Sequence, residues 1–360
     1  IFYFCKKLSS LRKKKINKVA RKIIYMIFIT GATGFLGAHL LYHLLKANEK
    51  ILALKRPTGN PDYIKKIFRT YGEGEEKLLE KVQFVDGNVL DYQTLVEIDY
   101  PIERIYHLAA MVSFSPGDKE KVLTTNVYGT SNVVNFALEK QIPEIVYVSS
   151  VAALDPLSEE QRITEKNFGN NPERNSNYAK SKFQSELEIW RGIEEGLKAV
   201  IVNPSVIIGP GLKADGPGKI FKAVRKGFGF YPSGTTGFVD VRDTCKAIME
   251  LVKNNVYNER FILNEGNYSY RKLLGSIAYY YNVAPPNKKL NPTWTSFFYK
   301  LDWLKTFLTG TNRIITKELH RSMHNKSKFS NEKLKKRLNF DFIPIEKTIQ
   351  DSIEYLIESD

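Results

Sequence analysis

Short apolar runs alternate with amphipathic stretches over the first two-thirds of the chain. The runs at 26–30, 51–54, 82–86, 104–108, 145–149 and 199–203 are mostly apolar or β-branched, as in strands buried on both faces. The stretches at 35–47, 62–71, 92–97, 119–139 and 178–195 carry helical patterns. This alternation predicts an α/β fold with a parallel sheet covered by helices on both sides. Segment 72–76, Gly72-Glu73-Gly74-Glu75-Glu76, reads as a charged, solvated loop. Beyond Gly209 the pattern changes. Gly209-Pro210-Gly211 and Gly216-Pro217-Gly218 punctuate a loop, and helix-like segments follow with one more strand at 260–263. The reading is a doubly wound unit of Rossmann type over 26–208. A smaller, mostly helical lobe over 209–360 closes over the sheet edge and is free to interleave with the first unit.

The junction after the first run is the most informative. Met26-Ile27-Phe28-Ile29-Thr30 leads into Gly31-Ala32-Thr33-Gly34-Phe35-Leu36-Gly37 and then a helix. Strand, glycine-rich turn and helix in this order form the opening of a dinucleotide-binding unit. Gly31 permits a tight turn, Gly34 lets backbone approach a pyrophosphate, and Gly37 lets the helix pack on the strand. The helix N-terminus then faces the phosphates. The spacing is G-x-x-G-x-x-G, with Ala32 where the common fingerprint has a glycine.

Charge alters little in this picture. The net charge of +15 invites a nucleic-acid reading, but residues 1–25 hold nine Lys or Arg and no acid. Without them, 45 basic residues face 39 acidic ones, an ordinary protein surface. The first methionine is Met26, so residues 1–25 are expected to be disordered or outside the functional protein. Two cysteines, Cys5 and Cys245, suggest a reducing, cytoplasmic setting. No apolar run reaches the ~18 residues of a membrane span.

Tyr178-Ala179-Lys180-Ser181-Lys182 opens a helix after a polar loop. Tyr178 and Lys182 are four apart and share a face. A nearby ammonium is expected to pull the phenol below its free pKa of ~10 and make it a general acid–base. The buried-type strand Ile145-Val146-Tyr147-Val148 ends in Ser149-Ser150. Ligands of open α/β sheets sit at the carboxyl ends of strands, so Ser150 would offer a hydroxyl to a substrate oxygen there.

These motifs resemble those of the extended short-chain dehydrogenase/reductases, the NAD-dependent epimerase/dehydratase family. The resemblance runs from residue 26 to about 345. It includes the glycine loop, His107-Leu108-Ala109-Ala110, Asn126-Val127-Tyr128-Gly129-Thr130, Val148-Ser149-Ser150, Tyr178 to Lys182, Asn203 to Gly211, and Phe238-Val239-Asp240-Val241-Arg242-Asp243. The resemblance implies Tyr178 as acid–base, Lys182 as ribose ligand and modulator of Tyr178, and Ser150 as orienter of the substrate oxygen. It implies that Ala109 and Ala110 pass close to the cofactor and that Pro204, Ser205 and Val206 line the nicotinamide pocket. Asn126 is structural or part of a proton relay. Gly87-Asn88, followed by Val89, stands where the family often has Gly-Asp beside the adenine.

Strand two ends in Lys55-Arg56 rather than an acid. An acid there would suit the ribose 2′-hydroxyl of NAD, whereas arginine suits a 2′-phosphate. NADP is therefore favoured over NAD. Asn203-Pro204-Ser205-Val206-Ile207-Ile208-Gly209-Pro210-Gly211 is most similar to the dihydroflavonol reductase and 3β-hydroxysteroid dehydrogenase branch. The expected activity is reduction of a ketone or aldehyde, or oxidation of a secondary alcohol. A nucleotide-sugar epimerase with tightly bound NAD and a non-catalytic NADP-binding sensor are the alternatives. A sugar dehydratase is disfavoured, because Val151-Ala152 offers no acid or base where that branch has an Asp-Glu pair. Met111, Ser113 and Phe114 follow strand four and are candidate substrate contacts, as are Phe230 and Tyr231 beside Phe228.

The remaining patterns favour packing over chemistry. His39 and His43, and His320 and His324, are spaced four apart, but no acid or cysteine completes either pair as a zinc site. The aromatic stretch 294–308 reads as packing of the lobe. Helices 119–139 and 178–195 are those that pair in many dimers of the family, so a homodimer is an expectation.

Overall fold

The computed structural model describes residues 25–57, 59–155, 162–168, 176–213, 216–291 and 317–358. The basic arm before Tyr25 and the aromatic stretch 294–308 lie outside the described residues. The first half alternates strand and helix: β1 (Met26–Thr30), α1 (Phe35–Lys46), β2 (Ile51–Lys55), α2 (Asp62–Arg69), β3 (Val82–Asp86), α3 (Tyr92–Val96), β4 (Ile102–His107), α4 (Lys119–Leu123), α5 (Gly129–Glu139), β5 (Glu144–Val148), α6 (Asn177–Glu194) and β6 (Lys198–Pro204). Then come β7 (Val206–Ile208), α7 (Gly218–Arg225), β8 (Phe230–Tyr231), β9 (Thr235–Asp240), α8 (Val241–Lys253), β10 (Glu259–Leu263), β11 (Gly266–Ser269), α9 (Tyr270–Tyr280), β12 (Lys288–Lys289), α10 (Lys317–His324), α11 (Glu332–Leu338) and α12 (Ile345–Glu358).

The central sheet is parallel, in the order β3-β2-β1-β4-β5-β6-β10. Strands β1, β2, β5 and β6 are buried almost throughout because helices cover both faces, whereas the edge strand β3 exposes Gln83 and Asp86. Along β1, Ile27 and Ile29 join Leu41 and Phe68 of α1 and α2 on one face. Phe28, pointing the other way, joins Val133, Phe136 and Ile189 of α5 and α6.

Three readings of the pattern need correction. The expected helix 119–139 contains a wider five-residue π turn, Thr124–Tyr128, between α4 and α5. The carbonyl of Asn126 there accepts the hydroxyls of Thr130 (2.6 Å) and Ser185 (2.8 Å). The expected loop at 72–76 runs into a 3₁₀ segment, Glu75–Lys81, where Glu75 meets Lys46 and Glu76 meets Arg69. The later part also has more strand than its pattern suggested: β11-β9-β7 form one small sheet and β12-β8 another.

The chain then returns to the first unit. Helix α8 places Cys245, Ile248 and Leu251 in the core beside Ile27 and Ile29. Strand β10 adds the sheet's last edge next to β6. The lobe has its own core, with Ile208, Phe221, Phe238, Ile277 and Ile349 among its members. Phe35, at the start of α1, packs against both cores.

Candidate active site

The glycine loop leaves β1 through Gly31, whose φ is +77°. A Cβ at Gly31 would stand 2.6 Å from the Ala109 nitrogen, and one at Gly37 would stand 2.0 Å from the Gly31 carbonyl oxygen. The turn and its two neighbours therefore pack backbone to backbone. Gly34 caps α1 without a side chain, and the first turn of α1 holds no acid. Thr33, Phe35 and Leu36 are half-buried around it. This helix end, open and unopposed by carboxylates, fits a phosphate-bearing ligand.

A chain of hydrogen bonds behind the loop connects it to the next two elements. The Ala109 N–H donates to the Thr30 hydroxyl (3.3 Å), which donates to His107 Nδ1 (2.7 Å). His107 Nε2–H donates to the Thr130 hydroxyl (3.1 Å), which donates to the Asn126 carbonyl. Only a neutral imidazole completes this sequence. Burial pushes His107 down to about 3, and the Lys182 charge adds to the shift. Asn126 is buried and clamps three segments. Its side chain accepts from the Met111 N–H (2.7 Å) and donates to the Met111 carbonyl (3.0 Å) and the Ser181 hydroxyl (2.8 Å).

Tyr178 and Ser150 stand beyond the end of β5, and Lys182 lies buried one helical turn after Tyr178 against β5. Ser176 caps α6 by accepting the Ala179 N–H (3.0 Å), which places Tyr178 in the first turn. The Ser150 hydroxyl accepts the Ala152 N–H (3.1 Å) and lies near enough to Tyr178 to affect its phenol. Phe114 lies edge-on to the Tyr178 ring, with centroids 5.8 Å apart.

The electrostatics differ from the expectation in one respect. Burial pushes Tyr178 up to about 12, with the nearby Ser150 hydroxyl pulling the other way. The Lys182 ammonium donates instead to the Val148 carbonyl (2.8 Å) and the Tyr147 hydroxyl (3.4 Å). Burial lowers Lys182 from 10.5 to about 8, with the Glu186 charge opposing the shift. Helical spacing placed Tyr178 and Lys182 on one face, but the buried ammonium takes the oxygen acceptors of β5.

The other predicted positions fall into two groups. Ala109 is half-buried and Ala110 exposed beside the glycine turn. Pro204 and Ser205 are buried at the end of β6, where the Ser205 hydroxyl donates to Leu263 (3.2 Å), and Val206 begins β7. Asn88 turns the chain after β3 by accepting the Leu90 N–H (3.1 Å), and Val89 is buried against Gly129. Lys55 pairs with Asp86 on the neighbouring strand, while Arg56 is exposed beside it. Among the substrate candidates, Ser113 donates to Asp118 (2.7 Å) and Phe114 is 42% exposed at Tyr178. Phe230 and Tyr231 belong to the two-stranded sheet, and Tyr231 packs on the lobe core.

Two buried charged side chains, Glu186 and Arg260, join this region without having been singled out. Glu186 accepts from the Ser149 hydroxyl, the Asn203 amide and the Arg260 guanidinium. The signal for Glu186 was available: it is a charge four residues past Lys182 on the same helix face. His39 is a packing histidine, with Nε2–H donating to the Pro210 carbonyl (2.9 Å) and Nδ1 accepting from the Tyr71 hydroxyl (2.6 Å).

A model of the NAD-binding family described as "Male sterility protein" matches residues 29–269. The chain is 28% identical over 273 residues to "Putative dihydroflavonol 4-reductase" of Synechocystis sp., covering 74% of this chain and 75% of that protein. It is 24% identical over 343 residues to cinnamoyl-CoA reductase 1 of Petunia hybrida, covering 92% of each. The crystal structure of gox2253 shares 25% identity and a TM-score of 0.76, covering 93% of this chain and 98% of that one. Among the described residues, no helix is long and apolar enough to cross a membrane. The chain belongs to the extended short-chain dehydrogenase/reductases, in the NAD(P)-binding family described as Male sterility protein.

Proposed function

We propose that the protein is an NADPH-dependent reductase of an apolar aldehyde or ketone. The observation that carries this reading is the buried Tyr178 phenol beside Ser150 beyond the end of β5, with the Lys182 ammonium one helical turn on. A bound reduced nicotinamide supplies the hydride to the carbonyl carbon. The Ser150 hydroxyl holds the carbonyl oxygen and Tyr178 gives it a proton, so the product is an alcohol. A phenol held near 12 stays protonated at neutral pH, which suits a proton donor.

The open N-terminus of α1 and the Gly31 turn would hold the pyrophosphate. Arg56, exposed at the end of β2, would pair with the 2′-phosphate. Exposed Val112 and Phe114, the latter against Tyr178, favour an apolar substrate. The names of the two reductase relatives support the same class.

The test is NADPH oxidation by the purified full chain against aromatic and aliphatic aldehydes and ketones. Y178F should bind NADPH as the unsubstituted protein does and lose kcat by about 10²- to 10⁴-fold. Full activity in Y178F would remove Tyr178 from the reaction.

A further inference from the structure

Behind Ser150 lies a buried ion pair that the proposed chemistry does not use directly. Glu186 and Arg260 are 2% and 8% exposed at their side chains, with 3.0 Å between Oε2 and the guanidinium. The other carboxylate oxygen accepts from the Ser149 hydroxyl and the Asn203 amide. The same amide donates to the Ser150 carbonyl (3.0 Å). Arg260 also donates to the carbonyls of Glu165 (2.8 Å) and Asn167 (2.7 Å) and lies over the Phe168 ring. One buried cluster therefore grips the Ser149-Ser150 turn, strand β10 and the segment 165–168.

Such a pair is a poor device for stability alone. Desolvating two charges can cost more than their attraction returns, and an apolar pair of similar volume would often serve as well. Its position suggests why charge is kept. Tyr178, Lys182 and Glu186 follow one another at four-residue intervals on α6, so the carboxylate sits one turn beyond the ammonium. The charged or titratable groups that act on Lys182 are His107 from β4, Tyr147 from β5 and Glu186 from its own helix. Among these, only Glu186 carries a negative charge at neutral pH.

We infer that Glu186 and Arg260 are positioning residues, which together orient Ser150 and give Lys182 its counter-charge. The inference rests on the reductase reading for its catalytic meaning. Arg260 holds one oxygen of the carboxylate while the other is aimed at the Ser149 turn, and the carboxylate charge opposes the effect of burial on Lys182.

The test compares E186Q and E186Q/R260M with the full unsubstituted chain. Lys182 is followed in protein carrying ¹³C-labelled lysine, with K182M assigning its signal. E186Q leaves Arg260 buried without its partner and should unfold at lower temperature, whereas the double variant recovers stability. In both variants the Lys182 titration midpoint should fall by about one pH unit. Their kcat for the best carbonyl should drop about ten-fold with the KM for NADPH unchanged. A double variant with the original midpoint and kcat would overturn the inference, as would E186Q with neither changed. If E186Q fails to fold, the double variant decides. If the unsubstituted protein reduces no carbonyl, the reductase reading falls and the Lys182 titration still decides whether Glu186 supplies its counter-charge.

Discussion

Tyr178 and Lys182 move in opposite directions from their free values for a single reason, burial. Burial disfavours phenolate and ammonium alike, so one group rises to about 12 and the other falls to about 8. The site thus holds its phenol protonated while leaving the lysine able to titrate in a mild alkaline range. Lys182 is charged below about 8 and neutral above it, so steps that need the ammonium should weaken as pH rises through that value. The pH profile of kcat/KM for carbonyl reduction should therefore have an alkaline limb near 8. A plateau persisting to pH 10 would show that the free protein does not need a charged Lys182. Arg56 makes a separate prediction. A charge-assisted hydrogen bond is worth roughly 1.5–3 kcal/mol, so R56A should raise the KM for NADPH by about ten-fold or more. NADH, without the 2′-phosphate, should be used as before, and an equal loss for both cofactors would remove Arg56 from that contact.

Elements are legible in a sequence where burial repeats with a simple period. The six apolar runs became β1 to β6 with ends moved by a residue or two, because their mostly apolar content stands out from the polar stretches between them. Gly31 was legible as well. Its Cβ would intrude on Ala109 and its φ is positive, so G31A should destabilise the fold by about 1–3 kcal/mol. Urea unfolding measures that loss, and an unchanged midpoint would mean that the β1–β4 approach relaxes freely. What stayed hidden depended on distant partners. The π turn at Asn126 leaves the apolar pattern of its helix nearly intact, and its extra carbonyl acceptor is used by Ser185, 59 residues away. Strands β9 and β11 include Thr235-Thr236-Gly237 and Gly266-Asn267-Tyr268-Ser269, with no alternation to read, and they exist because they pair with each other. The site divided in the same way. Helical spacing and a strand end pick out Tyr178, Lys182 and Ser150 as candidates, whereas the acceptor of Lys182 and the Glu186–Arg260 pair depend on which strands lie beneath α6.

At the scale of the whole molecule, two buried histidines link its parts and make the assembly sensitive to acid. His39 joins α1 to Pro210, in the loop that leads from the sheet to the lobe, and His107 joins β1, β4 and α5. Burial lowers each from 6.5 to about 3 in the folded protein. Between those values the unfolded chain holds two protons that the folded chain does not. Stability therefore rises with pH across this window and is lost as pH falls through it. Asp243 acts in the opposite sense over a narrower range. Burial raises it from 3.8 to about 6, so the folded chain takes up a proton there before the unfolded one does. Two protons against one leave a net loss on acidification. Each proton is worth about 1.4 kcal/mol per pH unit. The thermal midpoint should fall as pH is lowered from 6.5 toward 4. H39Q, which removes one titrating group, should flatten that fall by the slope of one proton even if it lowers stability at pH 7. An unchanged slope in H39Q would show that the link to the lobe yields before His39 is protonated, and that acid acts first somewhere other than the joint between sheet and lobe.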